Sequence, residues 1–269
     1  MDPNIKNLNN RSLLARGKRR LLAKLRNLCL LGLELTEDTR VRRAWKKRWE
    51  SKHYLRLLRW RDQGFSPKCI YDIGANSGEW CEMCQELFLP EQCYLFEPQL
   101  ALRCEISKRK PKAGGEWKIF SIALADTDDT STLYLAKNLA ASSLLAPTEG
   151  LAANAGVTST VGQAEVKTIR LDKLVQEGNL LPPNLIKIDV QGFEDRVLTG
   201  GAKTIAQAQK IVIEASIRQI YKDQVMLPQL LASLVQLGFE LEDISEAYRA
   251  WPMGTLWQVD LWLTRKIIE

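Results

Sequence analysis

The sequence predicts an α/β domain built on a parallel sheet and preceded by a basic helical segment. Three observations support this prediction: apolar strand-like segments alternate with helical segments from Lys68 onward, a glycine turn follows the first of them, and charge is divided unevenly along the chain. Such alternation is typical of parallel strands joined by right-handed crossover helices. At 269 residues, the chain is long enough for one domain of this class with an appendage.

The N-terminal segment, which we place at residues 1–66, carries the basic surplus. Residues 1–61 hold 18 Lys and Arg against 5 Asp and Glu, whereas the remaining residues hold 20 against 27. Apolar residues at helical spacing predict two helices, over 11–35 and 37–62. This segment either packs its apolar stripe on the domain and leaves its charges in solvent, or contacts an anionic partner such as a nucleotide-sugar, a lipid head group or a nucleic acid.

The α/β domain, residues 67–269, begins with a strand, a glycine turn and a helix. The turn over 72–78 reads DIGANSG, and Ser77 is a candidate cap for a helix over about 77–88. Because glycine tolerates positive φ and lacks a Cβ, such a turn lets the backbone approach a ligand closely. The second strand ends at Glu97, 25 residues after Asp72, which is about the spacing at which an acid binds a ribose diol. Turn and acid together predict a nucleoside-type cofactor.

The rest of the domain continues the alternation. A helix over about 99–110 precedes a third strand over 117–125 and a short strand over 130–136. Residues 138–162 are rich in Ala, Ser, Gly and Thr without a clear period, which predicts a long loop. The remaining predicted elements are strands at 163–171, 184–190 and 210–215, helices starting near Asp172 and after Gln191, a helix at 227–237, and two closing strands at 239–244 and 257–263.

Cysteine usage and hydropathy favour a reduced, cytoplasmic protein. Cys81 and Cys84 have the CxxC spacing of zinc or redox sites, but they lie in a predicted helix with no second pair and no histidine nearby. The apolar stretch from Leu21 to Leu35 is interrupted by charges and too short to span a bilayer, and no cleavable signal is expected. We therefore interpret the CxxC pair as structural.

Eight short segments of the domain stand in a characteristic order. They are DIGANSG at 72–78, FEP at 96–98, ALAD at 123–126, SS at 142–143, LD at 171–172, IKIDVQGFE at 186–194, VLTGG at 197–201 and IE at 213–214. In this order the chain resembles the FkbM-type S-adenosylmethionine-dependent methyltransferases, over roughly residues 68–245. The resemblance implies a doubly wound, Rossmann-like sheet of seven strands whose last strand is antiparallel. It also implies S-adenosylmethionine as cofactor and O-methylation of a hydroxyl on a sugar, glycan or natural-product acceptor.

The resemblance assigns cofactor contacts by position. The methionine portion would be lined by Asp72, Gly74, Asn76 and Gly78, the ribose hydroxyls would be bound by Glu97, and the adenine would lie near Ala123 and Asp126. The strand that ends at Asp189 is expected beside the first strand. In an open α/β sheet, the crevice at this switch point is where ligands bind.

An alcohol is a weak nucleophile, so methyl transfer to it benefits from a base that takes its proton. The single histidine, His53, lies in the basic segment, so the candidates are three carboxylates, Asp189, Glu194 and Glu214, of which Asp189 is the first choice. They could instead bind a divalent cation that orients a diol, and Lys187 could pair with Glu214 as a structural ion pair. The remaining candidates, which would contact acceptor or cofactor, are Ser142 and Ser143, as part of a lid, and Gln191.

Two other function classes stay open at this stage. The basic segment and its tryptophans suit a nucleic-acid methyltransferase, but no Asn-Pro-Pro-Tyr or Asp-Pro-Pro-Tyr tetrapeptide is present, which disfavours a nucleic-acid partner. A non-catalytic scaffold that binds the cofactor is the other class. The sequence leaves open which small molecule, nucleotide-sugar or glycan is the acceptor, and whether the protein forms a homo-oligomer.

Overall fold

The structure is a computed structural model that describes residues 43–44, 46–47, 49–110, 114–148, 159–250 and 254–266, with residues 246 and 250 described by backbone alone. The helix predicted over 11–35, most of the basic N-terminal segment and the middle of the 138–162 loop lie outside these residues. The chain divides into two units between Arg56 and Leu57. The domain boundary at residue 66 stays a prediction.

Ten strands in the described residues form two sheets. They are β1 (Cys69–Ile73), β2 (Gln92–Phe96), β3 (Glu116–Phe120), β4 (Ala123–Leu124), β5 (Asp129–Ala136), β6 (Thr160–Ile169), β7 (Leu185–Ile188), β8 (Lys210–Ser216), β9 (Phe239–Ala250) and β10 (Thr255–Arg265). The larger sheet has seven strands in the order β3-β2-β1-β7-β8-β10-β9. Strands β1 and β7 are buried along their whole length, as expected for inner strands of a parallel sheet.

The predicted antiparallel last strand is confirmed. Strand β10 lies between β8 and β9 and pairs antiparallel with both. The other neighbouring pairs of this sheet are parallel, from β3 through β2, β1 and β7 to β8. The domain therefore has the Rossmann-like methyltransferase topology that the resemblance implied.

Seven helices of the described chain connect or flank these strands. They are α1 (Ser51–Asp62), α2 (Glu79–Phe88), α3 (Leu100–Arg109), α4 (Leu171–Gly178), α5 (Glu194–Gly200), α6 (Ala202–Ile205) and α7 (Leu227–Gln236). Gly78, with φ +78°, occupies the N-cap of α2, so the expectation that Ser77 caps this helix is wrong. Within the described residues, none of the helices has the length and apolar content needed to cross a membrane.

The predicted third strand, 117–125, is in fact two strands in different sheets. Strand β3 ends at Phe120, opposite the end of β2, where the Phe120 carbonyl accepts a hydrogen bond from the Glu97 N–H at 3.1 Å. Beyond that point β2 offers no further partner, so the chain turns, and β4 pairs with β6 instead. Strand β5 completes this small sheet, in the order β4-β6-β5. Apolar pattern alone could not locate the change of sheet.

Three inner strands end at the same level of the large sheet. Ile73 of β1 pairs with Phe96 of β2 on one side and with Ile188 of β7 on the other. Because all three run parallel, the residues that follow them emerge together at one edge. This register brings the glycine turn, Glu97 and Asp189 to one place.

Candidate active site

A cavity opens at this edge of the sheet, where β1, β2 and β7 end. Its volume, which includes the open solvent at its mouth, is about 740 Å³. The predicted site residues that line it are Gly74, Asn76, Glu97, Ala123, Ser142, Ser143, Asp189 and Gln191. Those that are not part of its wall are Asp72, Gly78, Asp126, Glu194 and Glu214.

Gly74 brings the turn after β1 against the end of β7. Its φ is +77°, and a Cβ added there would lie 1.9 Å from the carbonyl oxygen of Asp189. The Gly74 and Ala75 N–H groups donate to the Phe96 carbonyl at 3.0 and 3.1 Å. The turn is therefore clamped between the two neighbouring strands, and only glycine fits at residue 74 without displacing β7.

Glu97 presents a carboxylate that is held by backbone groups. Its Oε2 accepts from the Asn76 N–H at 3.0 Å, and its Oε1 accepts from the Gln99 N–H at 2.8 Å. The side chain is 3% exposed, and this burial raises its pKa to about 7 although the two N–H groups act in the opposite direction. Each carboxylate oxygen has a second lone pair available, so Glu97 can accept hydrogen bonds from the two hydroxyls of a ribose diol.

An apolar region adjoins Glu97 and suits a planar aromatic group. It is formed by side chains from three parts of the domain, Leu102, Ile122, Ala123, Leu124 and Leu133. Asp126, predicted near an adenine, lies outside this wall, where its Oδ2 accepts a hydrogen bond from Arg196 at 2.9 Å. A nucleoside thus fits the observed donors and surfaces: an acceptor pair for its ribose beside an apolar slot for its base.

Asp72 is fully buried inside β1 rather than in the cavity wall. Its Oδ1 lies 4.0 Å from the Nζ of Lys187, which in turn lies 3.0 Å from Asp189 Oδ2. Burial alone would lower the pKa of Lys187, but Asp189 and Asp72 keep it above its usual value. Lys187 therefore bridges these two aspartates instead of forming the ion pair expected with Glu214.

Asp189 and Glu214 are joined by the side chain of Gln191. Gln191 Nε2 donates to Asp189 Oδ1 at 2.8 Å and to Glu214 Oε2 at 3.0 Å. Asp189 is about one-third exposed and lines the cavity, whereas Glu214 is buried behind it and accepts a second hydrogen bond from Gln258. Burial, reinforced by the nearby carboxylates of Asp189 and Glu194, raises the pKa of Glu214 well above its usual value.

Glu194 lies under the turn that carries Gln191. Its Oε1 accepts from the N–H groups of Val190 and Gly192, each at 3.1 Å. Gln191 and Gly192 have φ values of +57° and +97°, so the turn has two successive residues in the left-handed region. Burial raises the pKa of Glu194 to about 7. These contacts make Glu194 a support of the turn that stands behind the cavity wall.

Ser142 and Ser143 tie the 138–148 segment to both sides of the cavity. Ser142 Oγ accepts from the Ala136 N–H at 3.1 Å and lies 3.3 Å from Gln99 Oε1. Ser143 Oγ donates to the Gln191 carbonyl at 2.7 Å. Both residues line the cavity, but their hydroxyls are engaged with protein groups.

Sequence reasoning missed Tyr221, Gln258 and Gln99, which all bond to predicted site residues. Gln258 had a usable signal: it is a polar residue inside the apolar strand β10, and a buried amide needs partners. Nothing in the local sequence around Tyr221 or Gln99 points to the site.

The CxxC pair and the carboxylates show no metal-binding arrangement in the described part of the chain. Cys81 and Cys84 are buried in α2, and burial raises the pKa of both thiols well above the usual value. Among the described residues, no group of three or more His, Cys, Asp or Glu side chains could hold a metal ion.

Comparison with known proteins gives matches to methyltransferases. The model of the methyltransferase FkbM domain matches residues 72–241. The chain is 28% identical over 181 residues to the 2-O-methyltransferase NoeI of Sinorhizobium fredii, covering 64% of this chain and 72% of that protein. It is 25% identical over 145 residues to the hexuronic acid methyltransferase AglP of Haloferax volcanii, covering 54% of each.

A solved structure, the magnesium protoporphyrin IX methyltransferase of Synechocystis PCC 6803 with bound S-adenosylmethionine, aligns with a TM-score of 0.46 and 10% identity, covering 80% of this chain and 79% of that chain. The family model covers more than half of the present chain, including the glycine turn, Glu97 and Asp189. The chain therefore belongs to the FkbM methyltransferase family and is an S-adenosylmethionine-dependent methyltransferase.

Proposed function

We propose that this S-adenosylmethionine-dependent O-methyltransferase acts on a sugar hydroxyl, in a glycan or a nucleotide-sugar. The observation that carries the proposal is that a single cavity is lined both by Glu97 with its glycine turn and by the carboxylate of Asp189. One relative is named for 2-O-methylation and another for methylation of a hexuronic acid, which supports a sugar as the acceptor.

The cofactor would occupy the end of the cavity formed by β1, β2 and the small sheet. Glu97 would bind the ribose hydroxyls, Gly74 and Asn76 would line the amino-acid portion, and Ala123 with its apolar neighbours would contain the adenine. When bound, S-adenosylmethionine supplies a methyl group that is already activated for transfer. Asp72, Gly78 and Asp126 would act behind the wall, since their contacts are with Lys187, Ile106 and Arg196.

Asp189 is the proposed base. The hydroxyl proton of the acceptor must leave when its oxygen is methylated, and the Asp189 carboxylate would take that proton. Of the three carboxylates considered, Asp189 alone lines the cavity, and Lys187 and Gln191 hold it in place. Glu194 and Glu214 lie behind it and would shape its surroundings without touching the acceptor.

Calorimetry and a methyl-transfer assay test the two halves of this proposal separately. S-adenosylmethionine is titrated into the wild type, Glu97→Gln, Asp189→Asn and the surface control Glu105→Gln. Glu97→Gln should weaken binding at least about tenfold, because an amide cannot accept from both ribose hydroxyls while keeping two N–H partners. Asp189→Asn should bind normally and transfer about 100-fold more slowly.

The acceptor is sought by incubating the protein with S-adenosylmethionine and pools of nucleotide-sugars or oligosaccharides, and by following S-adenosylhomocysteine and the mass of the methylated sugar. Loss of a methyl-transfer signal in Asp189→Asn but not in Glu105→Gln supports the base assignment. If the sugar pools yield no product while another hydroxyl compound is methylated, the proposed acceptor class is wrong. Equal cofactor affinity of Glu97→Gln and wild type would contradict the binding mode.

A further inference from the structure

Tyr221 is a buried tyrosine whose hydroxyl reaches the back of the cavity without lining it. It lies in the segment between β8 and α7 and is 2% exposed. Its hydroxyl lies 2.9 Å from the Ala141 carbonyl oxygen and 3.2 Å from Gln191 Oε1. Burial raises the pKa of Tyr221, so the hydroxyl keeps its one proton, which the two oxygens share in a three-centre hydrogen bond.

The hydrogen bonds around Gln191 require one orientation of its amide. With Oε1 towards the Tyr221 hydroxyl, the two N–H groups of Nε2 point to Asp189 and Glu214. The opposite orientation would put the amide oxygen against Oδ1 of Asp189, a carboxylate that accepts but does not donate when ionised. A donor on the Oε1 side therefore favours the orientation in which Gln191 joins the two carboxylates.

Tyr221 also fixes the backbone of the same turn. A Cβ added at Gly192 would lie 2.9 Å from Cδ2 of the Tyr221 ring, so ring and turn are in close contact. Ser143 holds the turn from the other side through its hydrogen bond to the Gln191 carbonyl. The Tyr221 ring limits the movement of the turn, and the Tyr221 hydroxyl favours one orientation of the Gln191 amide.

Tyr221 is itself held firmly. Gln224 Oε1 accepts from the N–H groups of Ile220 and Tyr221 at 3.0 and 3.3 Å, and Gln224 Nε2 donates to Ser216 Oγ at 2.6 Å. The segment also pairs with the chain that follows Ser143, through the hydrogen bond from the Thr148 N–H to the Ile220 carbonyl at 2.9 Å. These hydrogen bonds hold the Tyr221 hydroxyl in one position.

We propose that Tyr221 is a positioning residue of the reaction: it orients the Gln191 amide, which holds Asp189 and Glu214 in the arrangement needed for proton removal from the acceptor. The inference rests on the proposed function, in which Asp189 is the base. Tyr221 would act through Gln191 and would not touch cofactor or acceptor. Its loss should therefore alter proton transfer while leaving cofactor binding intact.

The test compares Tyr221→Phe with Tyr71→Phe. Tyr71 is a matched control because it is also fully buried and its hydroxyl donates to a backbone carbonyl, that of Leu181, at 2.8 Å, but it lies in β1 away from the cavity wall. Both variants keep the ring and lose one buried hydroxyl. Comparable drops in melting temperature are expected, and calorimetry should give S-adenosylmethionine affinities within about twofold of wild type.

Only Tyr221→Phe should change the chemistry. We expect kcat to fall about tenfold with KM for the acceptor little changed, and the acid limb of the kcat–pH profile to move to higher pH, because carboxylates that lose a donor are protonated more easily. Gln191→Met should move the acid limb of the kcat–pH profile in the same direction. Adding Tyr221→Phe to Gln191→Met should lower kcat no further, since both substitutions interrupt the same link from Tyr221 through Gln191 to Asp189. Full additivity of the two changes would overturn the inference.

A second readout is independent of any acceptor. In protein with ¹³C-labelled Asp and Glu carboxyl groups, the titration midpoints of Asp189 and Glu214 are followed by NMR in wild type and both variants. Movement of these midpoints in Tyr221→Phe but not in Tyr71→Phe supports the inference even if the sugar assay fails, which would count against the proposed function alone. Unchanged midpoints together with an unchanged pH profile would show that Tyr221 only supports the fold.

Discussion

Replacement of Gly74 by alanine should separate the ends of β1 and β7 and damage the proposed cofactor site. The new Cβ would lie 1.9 Å from the Asp189 carbonyl oxygen, whereas ordinary contact begins at 3.4 Å, so the two strands must move apart by about 1.5 Å. Overpacking of a tightly packed site costs about 1–3 kcal/mol, and the positive φ adds roughly 1 kcal/mol for a residue with a Cβ. The expected loss of unfolding free energy is therefore about 2–4 kcal/mol.

Gly64→Ala provides the matched control. Gly64 has φ +92°, but a Cβ added there would meet nothing within 4 Å, so this substitution carries the backbone strain without the clash. Urea unfolding of both variants without cofactor measures the difference, which should be about 1–3 kcal/mol. Calorimetric titration should show S-adenosylmethionine affinity reduced at least about tenfold in Gly74→Ala and unchanged in Gly64→Ala. If the two variants lose equal stability and bind the cofactor equally well, the close approach of β1 and β7 does not constrain this residue.

Three further predictions follow from buried charges and thiols. Burial raises the pKa of Glu97 and Glu194 to about 7, so the stability that each contributes is fully present below about pH 4.5 and lost as the pH rises through about 7; the difference in unfolding free energy between wild type and Glu97→Gln should change in this direction between pH 5 and pH 8. Lys187→Met should cost about 3 kcal/mol or more in urea unfolding, because it removes the cation beside buried Asp72, and Asp72→Asn in the same chain should recover part of the loss. In a Cys29→Ser background, a thiol reagent should label exposed Cys104 quickly and the four buried cysteines only in denaturant, and rapid labelling of the CxxC pair would revive a redox role.

The residues at the proposed cofactor end of the cavity were predictable because their signals are local. A glycine with positive φ after a buried strand and an acid at the end of the next strand are both readable from sequence, and parallel strands place such ends at one edge. Gly74, Asn76 and Glu97 accordingly line the cavity. The sequence could not show that Asp72, unlike these residues, stays out of the cavity wall. A shift of one residue along a strand decides whether a side chain faces the cavity or, as for Asp72, faces Lys187.

The proposed acceptor end was less predictable because its network joins distant parts of the chain. Gln191, Glu214, Tyr221 and Gln258 come from four segments, and their partners depend on how β8 and β10 pair. Patterns of residue type revealed three carboxylates and favoured Asp189 as the base, but they could not exclude Glu194 and Glu214 from the cavity wall. That distinction depends on the turn that carries Gln191. Gln191 itself has φ +57° although it is not a glycine, and no sequence rule had marked this conformation.

The two carboxylates that line the cavity are held in ways that suit different tasks. Glu97 is held by two backbone N–H groups, which belong to the turn and to the start of α3 and cannot rotate away. Asp189 is held by two side chains, Lys187 and Gln191, whose own partners set the donor pattern. A fixed acceptor pair favours binding of a constant group such as a ribose, whereas a carboxylate that lines the cavity and is held by a cation and an amide is placed to act as the proposed base. Since adjacent strands lie about 4.8 Å apart and β1 lies between β2 and β7, the ends of these two strands are roughly 10 Å apart. The strand order therefore places the proposed cofactor-binding carboxylate and the proposed base after different strands.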